Sequence, residues 1–169
     1  NKKFSSNHIN RTGITVTGLK YDLDYKISPN FGLDVPMEQI SKGNGGSCVL
    51  SAYSSSVINL NNHLTTSLGI TAQYFTLNKN WTVEPRAALK WSFNPKHALA
   101  LAYGLHSRRE KLDYYFVEQK VNGKTESNRY LDFSKAHHFG LTYDWNINSY
   151  MHLKVEPYYQ YPVSYTHLR

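Results

Sequence analysis

Six charged residues in this chain share a spacing that could do chemistry. Glu84, Arg86 and Lys90 fall at alternate positions in one stretch, and Asp144, Lys154 and Glu156 do so across another. Side chains two residues apart on a β-strand point to the same side. Each set therefore lines one polar wall, where opposite charges neutralise one another across strands. Pairing over the turn at Asn148–Tyr150 places Asp144 opposite Lys154, and pairing over Asn94–Lys96 places Glu84 opposite His106. Such cross-strand pairs contribute about 0.2–1 kcal/mol each. A hydrated wall of mutually compensating charges explains them better than a substrate contact does.

The eight histidines raise the question of a metal. His137 and His138 are adjacent, so on a strand they face opposite sides and cannot share one ion without a bulge. No Cys/His spacing describes a zinc site, and Cys48 has no cysteine partner. No Ser/His/Asp arrangement is legible. The run Gly43-Asn44-Gly45-Gly46 follows no expected strand and opens no helix, so it is not read as a phosphate loop. The expectation is a protein without catalytic residues, metal or cofactor.

The elements that must position these residues are strands. From Trp81 to Phe93 one face carries Trp81, Val83, Pro85, Ala87, Leu89, Trp91 and Phe93, while the other carries Thr82, Glu84, Arg86, Ala88, Lys90 and Ser92. The apolar face has a tryptophan at each end. Indoles settle at water–lipid interfaces, and Trp81 to Trp91 spans roughly 33 Å of strand. Tilted by about 45°, that covers roughly 23 Å, close to the ~25 Å apolar band of an outer-membrane barrel. Trp81, Trp91, Phe93 and Trp145 are the expected girdle aromatics.

Composition agrees with an all-β chain. Tyrosine is abundant, at 14 residues, and no apolar run approaches the ~18 residues of a membrane helix. A mean hydropathy of −0.55 does not exclude a barrel, whose lumen and loops are polar. The net charge of +7 is spread along the chain and interleaved with acids, so no nucleic-acid partner is expected.

The pattern predicts an antiparallel meander of about seven strands, at 8–26, 47–60, 64–76, 81–93, 97–107, 138–147 and 151–161. In the first strand Ile14 and Val16 lie on one face, then Leu19, Tyr21, Leu23 and Tyr25 on the other; a bulge near Gly18 would reconcile them. Pro85 and Pro157 should each interrupt a ladder, because proline donates no hydrogen bond. Three tight connections, at Asn61–His63, Asn94–Lys96 and Asn148–Tyr150, alternate with long loops at 27–46 and 108–134 and a short link at 77–80. Short turns on one rim and long loops on the other match a transmembrane barrel. On that assignment Trp91, Phe93 and Trp145 mark the periplasmic rim. Trp81, Tyr74 and Tyr21 or Tyr25 mark the outer one.

The stretch V-E-P-R-A-A-L-K-W-S-F, the turn N-P-K and the strand H-A-L-A-L-A-Y-G-L-H-S-R resemble the barrel of TonB-dependent outer-membrane receptors. The markers are Pro85-Arg86 leading into an inward-running strand and Tyr103-Gly104 near the end of the outward one. The preceding L-T-T-S-L-G-I-T-A-Q-Y-F is similar to that family's strand before the Pro-Arg element. The variety it most resembles carries a carboxypeptidase-regulatory-like domain ahead of the plug.

The resemblance implies a wall segment of an active nutrient importer in the outer membrane of a Gram-negative bacterium. Its partners would be outer-membrane lipid, a plug domain and further strands outside this chain, the TonB system and a surface lipoprotein. Barrels of that family have about 22 strands, so residues 1–161 would form an incomplete segment of a large transmembrane β-barrel, with 162–169 a non-native or disordered tail. Within the long loops, Arg108, Arg109, Tyr114, Tyr115, Arg129 and Tyr130 are the expected solute contacts. Two other readings share the strand pattern: a passive porin-like or adhesin-like barrel, and a soluble β-sandwich or OB-like binding module.

Overall fold

A computed structural model describes residues 1–27, 38–121 and 124–164. The strands, in chain order, are β1 (Lys2–Ser5), β2 (His8–Ile27), β3 (Glu38–Asn59), β4 (Leu64–Phe75), β5 (Asn80–Asn94), β6 (His97–Arg108), β7 (Glu118–Val121), β8 (Lys124–Ser127), β9 (Ser134–Asn148), β10 (Met151–Val155) and β11 (Tyr158–Ser164). Nine of them form one open antiparallel sheet, a meander in which chain neighbours pair; β7 and β8 form a separate hairpin. Among the described residues, helix is confined to α1 (Leu112–Tyr115) and a 3-10 turn at Asn128–Tyr130. The chain is thus nearly all β, as its periodicity predicts.

Asparagine side chains build the three tight turns. Asn61 Oδ1 accepts from the amide of His63 at 2.8 Å, Asn94 Oδ1 from those of Lys96 and His97 at 2.8 and 2.9 Å, and Asn148 Oδ1 from that of Tyr150 at 2.8 Å. A short amide that bonds the backbone two residues on mimics a backbone turn. All three lie on one edge of the sheet, here the turn rim. On the opposite loop rim, Lys79 takes a positive φ of 60° in the link between β4 and β5.

Both mid-strand prolines interrupt pairing as expected. The β5–β6 ladder stops at Arg86↔Gly104, beside Pro85, and Pro157 separates β10 from β11.

Four expectations are corrected. No bulge occurs at Gly18: β2 and β3 pair in continuous register from His8↔Ile58 to Tyr25↔Ser41, and the only shift follows Tyr25. The change of phase is therefore real. Residues 38–46, expected in a loop, belong to β3, and residues 28–37 of that loop lie outside the described residues. The Gly43–Gly46 run sits inside this strand, and a Cβ on Gly43 would come within 2.6 Å of the Phe116 ring. Glycine there permits close packing. Finally, β11 continues past Tyr161 through Ser164, with Pro162 opposite Ala136; residues 165–169 lie outside the described residues.

The buried core is small and sits at the loop rim. Val49, Phe75, Tyr115 and Phe133 form it, with Leu19, Leu112, Phe116 and Leu131 packed around them. The stretches 109–117 and 128–133 thus fold back as a cap over one face of the sheet.

Candidate membrane wall and capped mouth

Directly paired residues in an antiparallel sheet share a face, so the register sorts the side chains. The rung Val16–Leu50–Tyr74–Trp81 lies on one face, as do Leu89–Leu101–Leu141 and Tyr103–Phe139–Tyr159. These side chains are open: Trp81 is 66 % exposed, Leu101 54 % and Ile14, on the same face, 79 %. Glu84, Arg86, Lys90, Asp144 and Lys154 occupy the other face, among Thr65, Gly69, Thr71, Ala100 and Thr142. Glu156 sits at the β10–β11 break and accepts from Thr142 Oγ1 on that face at 3.3 Å. The sheet therefore has one apolar face, here the outer face, and one polar face, here the inner, over most of its height.

The apolar band crosses the sheet obliquely. In β5 it is centred on Arg86, whose rung partners are Gly69, Ser55, Gly104 and His138. In β3 the band is instead centred near Leu50, displaced towards the loop rim. In β9 it is centred near Tyr143, displaced towards the turn rim. A level band across tilted strands produces this stagger.

Aromatic rows edge the band. At the turn rim Trp91, Phe93, His97 and Trp145 form a chain with successive ring centroids at 5.3, 5.7 and 5.6 Å, and His97 Nδ1 lies 2.8 Å from the Tyr143 hydroxyl. Trp81 stands across from Tyr74 at the other edge. The Phe139–Trp145 stretch is too short to reach both edges, and His137 extends it: Nδ1 lies 2.9 Å from the Tyr103 hydroxyl, and the ring stacks on Tyr161 at 6.5 Å. Sequence reading places His137 on the apolar face or its outer rim, but misses His97 in the aromatic row, although it sits at aromatic spacing. Tyr21 and Tyr25 are not in the girdle. They lie on the inner face, where Tyr21 packs on Phe116 with centroids 4.7 Å apart.

The inner charges pair, with some partners changed. Lys154 stands opposite Asp144 in the register, yet its ammonium contacts Glu156 at 2.8 Å, while Asp144 meets His152 at 3.2 Å. Glu84 does not pair with His106. Its Oε1 accepts from Gln73 Nε2 at 2.7 Å and from the hydroxyl and amide of Ser107, and its Oε2 faces Arg86 at 3.3 Å. The β5–β6 ladder has already ended beside Pro85, so Ser107 reaches the carboxylate first. Glu84 is only 4 % exposed, a buried carboxylate held by several donors and no part of a hydrated wall. His106 instead meets His138 edge-on at 4.5 Å.

His137 and His138 do face opposite sides. No group of three His, Cys, Asp or Glu side chains suited to a metal occurs among the described residues.

The six expected solute contacts separate into three pairs. Arg108 and Tyr114 line one cleft. Arg109 and Tyr115 turn into the core: the guanidinium lies 5.4 Å over Phe75, and Tyr115, 2 % exposed, meets the same ring edge-on at 5.4 Å. Tyr115 is a packing residue, and burial raises its hydroxyl pKa above the usual tyrosine value. Arg129 covers Phe116 at 5.8 Å, and Tyr130 is exposed on the 3-10 turn. What fastens the cap was not foreseen. Asn78 and Asn80 donate to the Leu131 carbonyl at 2.7 and 3.2 Å, and the Leu77-Asn78-Lys79-Asn80 stretch offered only a turn signal.

Comparison of the chain with protein-family models, with curated proteins and with solved structures gives no match.

Proposed function

We propose that this sheet is part of the wall of a large outer-membrane β-barrel, and that the barrel is a TonB-energised nutrient receptor. One observation carries the first half. Along the uninterrupted β2–β3 pair, Ile14, Val16, Leu50 and Ala52 lie on the outer face up to Gly18↔Cys48. Beyond that rung the same face carries Lys20, Asp22, Asp24, Lys42 and Asn44, and the apolar Leu19, Tyr21 and Leu23 take the inner face. The backbone does not change there, and a change in the surroundings of the outer face, from an apolar medium to water, accounts for the switch. Water-soluble monomers rarely leave large contiguous apolar patches open, and here Ile14, Val16, Leu68, Ile70, Trp81 and Leu101 all stand exposed on one face. A β-sandwich would cover it with a second sheet, and among the described residues the other sheet is only the two-stranded β7–β8 hairpin.

Cysteine accessibility tests this half. In a Cys48→Ser background, Leu101→Cys and Leu68→Cys should resist a water-soluble maleimide in outer membranes, while Lys20→Cys should react from outside the cell. Equal labelling of all three would remove the bilayer.

The second half rests on the resemblance carried by Pro85-Arg86 and Tyr103-Gly104 and on the cap that narrows one end of the wall. Uptake through such a receptor should stop when the proton gradient is collapsed. A passive porin would continue to conduct, and that result would replace the importer with the porin.

A further inference from the structure

Beneath the cap, helix α1 and the inner face of β6, β9 and β11 enclose a cleft of about 590 Å³, within the ~300–1,000 Å³ range of small-molecule sites. Arg108, at the end of β6, Lys111, just before α1, and Lys135, in β9, supply three cations. His106, His138, Gln160 and Tyr114 supply further polar groups around them. The one carboxylate in the lining, Glu110, accepts from Ser134 Oγ at 2.9 Å. Elsewhere on the inner face Arg86 and Lys154 have carboxylate partners within 4 Å. Among the described residues, neither Arg108 nor Lys111 is in an ion pair.

A guanidinium-bearing side chain and two lysines lining a partly enclosed cleft, together with hydroxyl, amide and imidazole groups, make a site for an oxyanion. Arginine binds carboxylate or phosphate through two parallel hydrogen bonds, and lysine adds a point charge. We infer that this cleft is a solute subsite for a carboxylate or phosphate group. The inference rests on the barrel reading, which makes this face the lumen and the capped end its outer mouth.

The test is calorimetric titration of the detergent-solubilised protein with inorganic phosphate and, separately, with citrate, using maltose as the neutral control. At least one anion should bind, and which one binds separates phosphate from carboxylate recognition. The double substitution Arg108→Gln/Lys111→Gln should weaken binding at least tenfold. Lys90→Gln, an inner-face lysine near the turn rim, should leave it unchanged. Absence of binding by both anions, equal binding by the double variant, or maltose binding as well as the anions would overturn the subsite. The cysteine-labelling pattern is measured on the same preparation. If the pattern holds and anion binding fails, the subsite alone falls; if the pattern fails, the barrel reading falls with it.

Discussion

The lower sheet and the β2–β3 ribbon above it use the same backbone and the same register, yet they reverse their polarity. In the band just below Gly18↔Cys48, Ile14, Val16, Leu50 and Ala52 point outward, and Thr15, Thr17 and Ser51 point inward. Above it, Lys20, Asp22 and Lys42 point outward, and Leu19, Tyr21 and Leu23 point in, towards Phe116 and the cap. β3 loses its other neighbour at Val49↔Phe75, so the ribbon projects beyond the sheet by roughly 30 Å. The contrast teaches that a sheet face has no fixed identity along a strand. Each height on the strand carries the side chains that its surroundings require.

The largest expected effect comes from removing the contact that gives the ribbon and cap their inner core. Phe75 is fully buried between Tyr115 and the Arg109 guanidinium. Phe75→Ala should destabilise the cap by about 3–5 kcal/mol, the usual range for emptying an aromatic site. Hydrogen exchange should then accelerate in residues 109–117, in 128–133 and in the ribbon, while β5, β6 and β9 keep their protection. Equal acceleration throughout would mean that the two regions are not separate.

Reversing the outer face gives the next effect. Leu101→Arg places a charge in the middle of the apolar band and should cost about 2–4 kcal/mol in lipid vesicles. Asn44→Arg, on the outer face of the ribbon, should change urea unfolding hardly at all. Similar midpoints for the two variants would erase the distinction between apolar and aqueous surroundings.

A smaller effect is expected at the inner face, where the regions meet. Glu84→Ala strands the Gln73 and Ser107 donors and leaves Arg86 without its carboxylate. Loss of partners for buried polar groups costs about 1–3 kcal/mol, read as a lower unfolding midpoint with the sheet otherwise intact. Lys90→Ala, a lysine on the same face outside any ion pair among the described residues, should be near neutral.

The lower sheet was legible in the sequence because one variable, period-two alternation, set both its strands and its faces. Trp81 to Phe93 shows this most clearly, and the asparagine turns marked where strands end. The ribbon was misread for the same reason. Alternation with a single fixed apolar face demanded a bulge at Gly18, whereas the inner face there gains an apolar partner from residues far along the chain. That partner has no periodic signal. Tyr115, Phe116 and Phe133 sit among charged and polar residues, and they acquire a core only when 109–117 and 128–133 fold back. Tyr115 therefore looked like a solute contact. Local pattern cannot report which loop aromatics are covered by tertiary packing, and the Ser107–Glu84 contact depends likewise on a ladder ending beside Pro85.

The smallest expected effect uses pH to separate the two regions. Burial raises the Tyr115 pKa in the folded cap, so the unfolded chain releases this proton first, at about pH 10. The folded cap is therefore at full relative stability below that pH and loses it as pH rises towards the higher folded value. Limited proteolysis should show the cap becoming susceptible above about pH 10 before the lower sheet does. Tyr115→Phe keeps the ring against Phe75 and removes the titrating hydroxyl, so its cap should lose less of its resistance over the same range. An identical alkaline profile in Tyr115→Phe would assign the transition to another group. Simultaneous cleavage of cap and lower sheet would show that the core under the cap is continuous with the rest of the wall.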